Sequence, residues 1–239
     1  MNSKILNGKN VLITGATGGL GIAIAHQLAS ARCNLFLTGK NITKLKNIQY
    51  QLQKYNIKVH ICCANLAKVS EIRRLVYKAL HAYKRIDILI NCAGVFPIGS
   101  IEKTTLSNFQ KCFAVNIQAP FLLTKQIIPN MIKNKWGRII NIGSSSAFNG
   151  FKNTSIYCAS KHALLGFSRA LFDELKEKNI RVISINPGTI RTKMGKKLVL
   201  QDPRSFINPN DVAKYLAFAC SFDSEMVSEE IRLNRIYLK

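Results

Sequence analysis

The chain contains few acidic residues and no long apolar run. Its 12 Asp and Glu residues stand against 35 Lys and Arg residues, which gives a formal net charge of +23. No apolar run reaches the ~18 residues that a membrane-spanning helix needs. The first eight residues lead directly into a short apolar run and leave no room for the apolar segment of a signal peptide. We therefore expect a cytoplasmic protein without a membrane span.

The cysteine and histidine residues lack the spacing of a metal site. The seven cysteines are an odd number, and most lie in apolar segments, where a free thiol behaves as a small hydrophobic side chain. Cys62 and Cys63 are adjacent on a predicted strand and point to opposite faces, so they should not pair. Neither His26 nor His162 has a carboxylate or a cysteine at ligand spacing. We expect reduced thiols and no bound metal.

The excess of positive charge has three explanations. It could serve nucleic acid, an acidic substrate or carrier, or merely reflect codon usage that favours Lys, Asn and Ile. The lysines are scattered along the chain, and no RNA-recognition, zinc-finger or helix-turn-helix signature is present. We therefore expect no nucleic-acid partner, while the acidic partner and the codon usage both remain open.

The alternation of apolar and helical segments predicts the fold class. A length of 239 residues with 47% hydrophobic residues suits a single domain, and short apolar runs alternate with helical stretches. This pattern predicts an α/β, Rossmann-type, doubly wound parallel sheet of seven strands with helices on both faces. The predicted strands are Asn10–Thr14, Asn34–Thr38, Val59–Cys63, Ile86–Asn91, Gly137–Ile142, Arg181–Asn186 and Glu230–Leu233. The predicted helices are Gly19–Ala31, Ile42–Tyr55, Val69–Ala82, Leu106–Lys133, Ser155–Glu177 and Pro209–Ser221.

A glycine-rich turn follows the first predicted strand. Gly15, Gly19 and Gly21 have the spacing Gly-x-x-x-Gly-x-Gly. The first glycine permits a tight turn, and the later two let the backbone and the next helix approach a pyrophosphate. The positive end of that helix then faces the phosphates. The turn therefore predicts a dinucleotide site.

A tyrosine and a lysine provide candidate acid–base chemistry. Tyr157 and Lys161 are four residues apart, so on a helix they lie on the same face. An ammonium beside a phenol favours the phenolate and should lower a pKa that is normally ~10. Ser144 precedes Tyr157 by thirteen residues and lacks the Gly-x-Ser-x-Gly elbow of a serine hydrolase. Together with the glycine turn, these residues predict a hydride-transfer enzyme in which Tyr157 donates the proton.

The order and spacing of these motifs resemble the short-chain dehydrogenase/reductase family. The resemblance runs from Gly8 to about Leu233 and implies reduction of a carbonyl with a nicotinamide cofactor. Within the family, the run 137–144 is typical of 3-oxoacyl-[acyl-carrier-protein] reductases. The motifs that carry the resemblance are the glycine turn, Asn91-Cys92-Ala93-Gly94, Asn116, Ser144, Tyr157, Lys161 and Asn186-Pro187-Gly188.

The resemblance implies a role for each of four candidate catalytic residues. Ser144 would hydrogen-bond the substrate carbonyl oxygen, and Tyr157 would protonate it. Lys161 would also hold the hydroxyls of the nicotinamide ribose. Asn116 would kink its helix and support a water relay to Lys161, or alternatively would serve only the kink.

The cofactor is expected to be NADP(H) rather than NAD(H). Lys40 follows the second predicted strand, and no acid is present there to repel a 2′-phosphate. The alternative is that Lys40 is only the polar first residue of a helix. Gly18 stands where many NADP-dependent relatives have Arg or Lys, and Asn65 stands where the family usually has Asp. The expected cofactor contacts are Gly15, Thr17, Gly18, Gly19, Leu20, Gly21, Lys40, Asn65, Leu66, Asn91, Ala93, Gly94, Tyr157, Lys161, Pro187, Gly188, Ile190 and Thr192.

The substrate is expected to be a 3-oxoacyl thioester of acyl carrier protein or coenzyme A. A predicted substrate lid at about 192–208 carries Lys193, Lys196, Lys197 and Arg204, with only Asp202 in opposition. By resemblance to the reductases, Lys135 and Lys178 would dock an acidic carrier near the active-site entrance, or alternatively are ordinary exposed lysines. The ending from Ser228 lacks the glycine-rich segment of those reductases and resembles relatives that act on small hydroxy acids, amino alcohols or sugars. Such a dehydrogenase is the alternative, and a basic nucleic-acid-binding protein on the same fold is a more distant one.

The helix predicted at Ser155–Glu177 indicates self-association. Its apolar residues are spread around much of its circumference, which is more apolar surface than one sheet face can bury. Relatives pair this helix across a two-fold axis. We therefore expect a homo-oligomer, either a tetramer or a dimer.

Overall fold

A computed structural model describes residues 3–198 and 202–236. They form a seven-stranded parallel sheet with the order β3-β2-β1-β4-β5-β6-β7. The strands are β1 Asn10–Ile13, β2 Asn34–Gly39, β3 Val59–Cys63, β4 Ile88–Asn91, β5 Gly137–Ile142, β6 Ile180–Pro187 and β7 Glu230–Leu233. The helices are α1 Ser3–Leu6, α2 Gly19–Ser30, α3 Ile42–Leu52, α4 Val69–Tyr83, α5 Leu106–Phe113, α6 Ala119–Lys133, α7 Ser155–Leu175 and α8 Pro209–Cys220.

The predicted single-domain α/β fold is confirmed, because all seven strands lie where the apolar runs placed them. Helices cover both faces of the sheet, as an all-parallel sheet requires. On β2, Leu35 and Leu37 pack on one face among residues of α2, α3 and α8. Phe36 points to the other face and packs among residues of α4, α6 and α7. The alternation of side chains along a strand therefore explains the two apolar layers.

The helix predicted over Leu106–Lys133 is present and is interrupted by a π-helical turn at Asn116, where the resemblance implied a kink. The chain forms α5, then a π-helical turn at Ala114–Gln118, then α6. Pro120 lies in the first turn of α6 and has no N–H to donate to the carbonyl of Asn116, four residues earlier. The missing hydrogen bond lets the backbone widen at this point, as π-turns do.

The parallel topology brings the loops after β1, β4, β5 and β6 to one edge of the sheet. The strand order reverses between β1 and β4, and ligands of such folds bind in the crevice at this reversal. The glycine turn and Ser144 therefore lie at the same edge.

The opposite edge is held by buried arginines. Arg138 is fully buried and donates to the carbonyl of Phe222 at 2.8 Å and to Asp223 Oδ1 at 2.7 Å. Arg181 donates to the same Phe222 carbonyl at 2.7 Å. These contacts fix the segment that leads from α8 to β7. Within 3–198 and 202–236, no helix is long and apolar enough to cross a membrane, and all seven cysteines are free.

Candidate active site

Backbone contacts at the glycine turn leave no room for side chains. Gly15 has a φ of 65°, and a Cβ there would lie 2.8 Å from the Cα of Ala93, after β4. A Cβ on Gly21 would collide with the carbonyl oxygen of Gly15. The turn is therefore a close-packed backbone cradle at the amino-terminal end of α2, which suits a pyrophosphate.

Two further contacts connect this cradle to other predicted cofactor residues. A Cβ on Gly19 would lie 2.9 Å from the Thr192 side chain, so the start of the predicted lid faces the glycine turn. A Cβ on Gly39 would lie 2.8 Å from the Thr17 side chain. Thr17 thus meets the carboxyl end of β2, immediately before the exposed Lys40. Two of the predicted cofactor residues, Lys40 and Thr192, therefore both lie beside the glycine turn.

The side chain of Asn91 points into the protein. Its Nδ2 donates to Asn141 Oδ1 at 2.8 Å, and both residues are buried. Thr14, which the sequence did not single out, accepts hydrogen bonds from the N–H groups of Cys92 (3.0 Å) and Ala93 (3.1 Å). Thr14 therefore fixes the loop after β4, including the nearby Gly94, to the end of β1. No local pattern marks it, because its partners are more than seventy residues away along the chain.

Asn65 and Leu66 form a turn at the same edge, after β3. The Oδ1 of Asn65 accepts from the N–H of Ala67 at 3.2 Å, and its own N–H donates to Glu71 at 2.8 Å. Leu66 is buried. The amide of Asn65 thus shapes the turn in which it stands.

Ser144, Tyr157 and Lys161 converge at the end of β5. Tyr157 is 9% exposed and Lys161 is 4% exposed. The Nζ of Lys161 donates to the carbonyl of Ile142 at 2.8 Å and lies 5.6 Å from the centre of the Tyr157 ring. The Oγ of Ser144 accepts from the N–H of Ser146 at 3.1 Å. The sequence spacing therefore corresponds to a compact cluster of three polar groups.

Burial dominates the titration of this cluster. It raises the pKa of Tyr157 to about 12, while a hydrogen bond with Ser144 acts in the opposite direction. Burial also lowers the pKa of Lys161 to about 8. The sequence predicted a pKa of Tyr157 below its ordinary value, whereas in the structure this pKa is raised, because burial disfavours the charged phenolate. Tyr157 keeps its proton at neutral pH.

Asn116 lies in the π-helical turn and is buried beside the cluster. Its Oδ1 accepts from the N–H of Val95 at 2.9 Å, and its Nδ2 donates to Ser160 Oγ at 3.0 Å. The next residue after Val95, Phe96, has its ring centre 4.5 Å from that of Tyr157. Neither Ser160 nor Phe96 was predicted from the sequence.

The segment after β6 leaves the sheet and returns to it. Pro187 ends β6, and the N–H of Gly188 donates to the carbonyl of Leu233 at 2.8 Å. Ile190 and Ile207 then form a parallel bridge, so the intervening segment is closed at its base. Residues 199–201 of the predicted lid lie outside the described residues.

Lys135 and Lys178 lie near each other but away from the cluster. Asn179, beside Lys178, donates to the carbonyl of Lys135 at 3.0 Å. These residues precede β5 and β6, whereas Ser144 follows β5. A strand of this length spans roughly 20 Å, so the two lysines are at the opposite edge of the sheet. Within one subunit they are not at the entrance to the cluster.

The residues of the site suit a nucleotide. The closely packed glycines form a cradle with backbone N–H groups at a helix terminus, and no acid follows β2. Within the described ranges, no cluster of three His, Cys, Asp or Glu residues could hold a metal ion.

Comparison with known proteins identifies the family. The short chain dehydrogenase family model matches residues 9–203. The chain belongs to this family. It is an NAD(P)-dependent oxidoreductase, as the glycine turn and the Tyr157–Lys161 pair predict.

Two curated relatives and two solved structures show the range of similarity. The 3-oxoacyl-[acyl-carrier-protein] reductase FabG of Aquifex aeolicus (strain VF5) is 33% identical over 236 residues, covering 95% of each chain. Dehydrogenase/reductase SDR family member 4 of Homo sapiens is 31% identical over 237 residues, covering 94% of this chain and 85% of the relative. A metagenomic short-chain oxidoreductase in complex with NADP matches with a TM-score of 0.86 and 27% identity, covering 98% of this chain and 99% of that one. A candidate NAD(P)-dependent gluconate 5-dehydrogenase from Beutenbergia cavernae with bound NADP has a TM-score of 0.87 and 28% identity, with coverages of 96% and 95%.

The titration of Lys161 predicts that carbonyl reduction slows as the pH rises through about 8. Lys161 is charged below its pKa of about 8 and neutral above it. Loss of the charge removes the field that stabilises negative charge developing on Tyr157 and the substrate oxygen. Initial rates at saturating cofactor, from about pH 6 to about pH 10, should show this decline. Residual activity of Lys161→Arg should lack it, because arginine keeps its charge. A rate that stays constant until about pH 10 would contradict the assignment.

Proposed function

We propose that this protein is an NADP(H)-dependent reductase of 3-oxoacyl thioesters. The observation that carries the proposal is the cluster of Ser144 with the buried Tyr157 and Lys161, at the same sheet edge as the nucleotide cradle. Tyr157 remains protonated because its pKa is raised to about 12. A protonated phenol is the form that reduction requires, since the product alcohol needs a proton.

The three side chains divide the work of converting a carbonyl to an alcohol. When bound, the cofactor would supply a hydride to the carbonyl carbon. Ser144 donates a hydrogen bond to the carbonyl oxygen and holds it beside Tyr157. As the carbon–oxygen double bond becomes single, Tyr157 gives its proton to that oxygen. Lys161 stabilises the resulting phenolate and would hold the nicotinamide ribose.

The first test removes only the phenolic hydroxyl. Tyr157→Phe should lower kcat by at least about 100-fold, because proton donation is lost while the ring stays. Cofactor affinity, measured by nicotinamide fluorescence, should change little. Tyr83→Phe is the matched control, since Tyr83 has a half-buried hydroxyl that donates to the Leu35 carbonyl at 2.9 Å near the other edge of the sheet. Unchanged turnover in Tyr157→Phe would refute the mechanism.

The preference for NADP rests on the end of β2. Lys40 is exposed next to Gly39, which contacts Thr17 of the glycine turn. A 2′-phosphate placed between them would meet a cation and a hydroxyl. The side chain of Asn41 does not compete for this position, because it caps α3 by accepting from the N–H of Lys44 at 2.8 Å. The NADP complexes among the similar structures support the same preference.

Replacing the cation with an acid should reverse this preference. Lys40→Asp should lower kcat/KM for NADPH and raise the ratio of NADH to NADPH efficiency by about 100-fold, since the carboxylate repels the 2′-phosphate and can accept from a ribose hydroxyl. Lys44→Asp, one turn into α3, is the matched control for added negative charge. An equal ratio of NADH to NADPH efficiency in the two variants would show that Lys40 does not recognise the 2′-phosphate.

The cations in and just before the predicted lid support a substrate whose acyl group is attached to an anionic carrier. Arg204 pairs with Asp202 at 3.0 Å. In contrast, within the described part of the chain, Arg191, Lys193 and Lys196 form no ion pair and are exposed. Opposite charge on the phosphate of coenzyme A or on an acidic carrier would steer the substrate toward these cations. Lys135 and Lys178, at the far edge, would serve this purpose only for the site of a second subunit.

A comparison of two double variants separates these docking surfaces. The Lys193→Glu and Lys196→Glu pair should raise KM for a carrier-bound thioester by about 10-fold or more, with little effect on a small neutral ketone. The Lys135→Glu and Lys178→Glu pair adds the same charge at the other edge, and an equal rise there would place the carrier at that edge. Equal effects on thioester and ketone, or a preference for the ketone, would favour the alternative substrate, a small hydroxy acid, amino alcohol or sugar.

We also propose that the protein is a homo-oligomer, a tetramer or a dimer. In the structure, α7 exposes a row of small residues, Ala159, Ala163, Gly166 and Ala170, beside its buried face. A Cβ built on Gly166 would meet no atom within 4 Å. Small side chains allow the same helix of a second copy to approach closely.

A further inference from the structure

Along the sequence, a serine with a buried hydroxyl lies between Tyr157 and Lys161. Ser160 is fully buried on α7. Its Oγ donates to the carbonyl of Tyr157 at 2.7 Å and accepts from Asn116 Nδ2 at 3.0 Å. The thiol of Cys112 is the third neighbour, at 3.6 Å. Ser160 therefore connects α7 to the π-helical turn.

Asn116 extends this connection to the loop after β4. Its Nδ2 also donates to the carbonyl of Val95 at 3.1 Å, and its Oδ1 accepts from the N–H of the same residue at 2.9 Å. Both backbone groups of Val95 are thus held by one side chain. Three segments that are distant along the sequence meet in this cluster, which consists of Val95, Asn116 and Ser160.

The loop held by the cluster places an aromatic ring against the tyrosine. Phe96 follows Val95, and its ring meets the ring of Tyr157 at a centroid distance of 4.5 Å and an interplanar angle of 60°. This edge contact is a preferred geometry for aromatic pairs. The Tyr157 ring is consequently fixed by its own helix and by a loop whose position depends on Asn116.

We propose that Ser160 is a positioning residue for Tyr157. It keeps α7, the π-helical turn and the loop with Phe96 in one arrangement, which aims the phenolic hydroxyl at the substrate oxygen. The hydroxyl at this position both donates to the Tyr157 carbonyl and accepts from Asn116. An alanine would leave the Asn116 amide with one partner fewer in a buried site. This inference rests on the proposed role of Tyr157 as proton donor.

The test is Ser160→Ala, with kcat and cofactor binding measured separately. A small displacement of the donor should lower kcat by about 10-fold, since transfer steps are sensitive to shifts of an ångström or less. The NADPH dissociation constant, from nicotinamide fluorescence, should stay within about 2-fold, because the Ser160 hydroxyl bonds to the Tyr157 carbonyl and to Asn116 and not to the glycine turn. The solvent deuterium isotope effect on kcat should increase, because proton transfer then limits the rate.

Ser168→Ala is the matched control on the same helix. Ser168 is also buried, donates to the carbonyl of Leu164 at 2.6 Å and accepts from Asn141 Nδ2 at 2.9 Å. It lies about two turns further along α7, away from the Tyr157 ring. Its variant should lose thermal stability to a similar extent as Ser160→Ala while kcat and the isotope effect remain at wild-type values. Equal changes of kcat in the two variants would overturn the proposal.

A second variant keeps the test decisive if Ser160→Ala does not fold. Ser160→Cys retains a side chain of similar shape but with a weak donor and acceptor. A reduced kcat with an enlarged isotope effect supports the proposal, and wild-type values refute it. The two hypotheses fail in different ways. Unchanged turnover in Tyr157→Phe would refute the role of Tyr157 as proton donor. Lost turnover in Tyr157→Phe with unchanged turnover in the Ser160 variants would refute only the positioning role of Ser160.

Discussion

The hydrogen bond from the Lys161 ammonium to the carbonyl of Ile142 joins α7 to the carboxyl end of β5. It places a cation in an interior from which water is largely excluded, and this burial lowers the pKa of Lys161 to about 8. The same exclusion of water raises the pKa of Tyr157. One packing arrangement therefore sets both proton affinities. At neutral pH Tyr157 keeps its proton, and Lys161 is charged but loses its charge as the pH rises through about 8.

The architecture explains why these groups meet at all. Parallel strands end at one edge, and the reversal of strand order at β1 and β4 opens a crevice there. Gly15 and Ala93 close the bottom of the crevice by backbone contact, and Thr14 fixes the loop after β4. The glycine turn and Ser144 thus follow strand ends, while Tyr157 and Lys161 reach the same edge from α7.

The sequence predicted those features that depend on local spacing. Apolar runs located the seven strands, and the intervals within the glycine turn and between Tyr157 and Lys161 indicated their shared faces. The sequence did not predict features that depend on contacts between distant parts of the chain. The side chain of Asn116 in the π-helical turn is bound by Val95, twenty-one residues away. The pKa of Tyr157 depends on burial by the whole fold. The placement of Lys135 near the active-site entrance came from the resemblance alone, although the predicted strand Gly137–Ile142 already separates Lys135 from Ser144.

The parallel bridge between Ile190 and Ile207 closes the predicted lid into a loop with a narrow base. Thr192 stands at this base, and a Cβ on Gly19 of the glycine turn would lie 2.9 Å from its side chain. A larger residue at position 19 would therefore push against the base of this loop as well as alter the glycine turn. One small residue thus sets the spacing between two segments that are more than 170 residues apart along the chain.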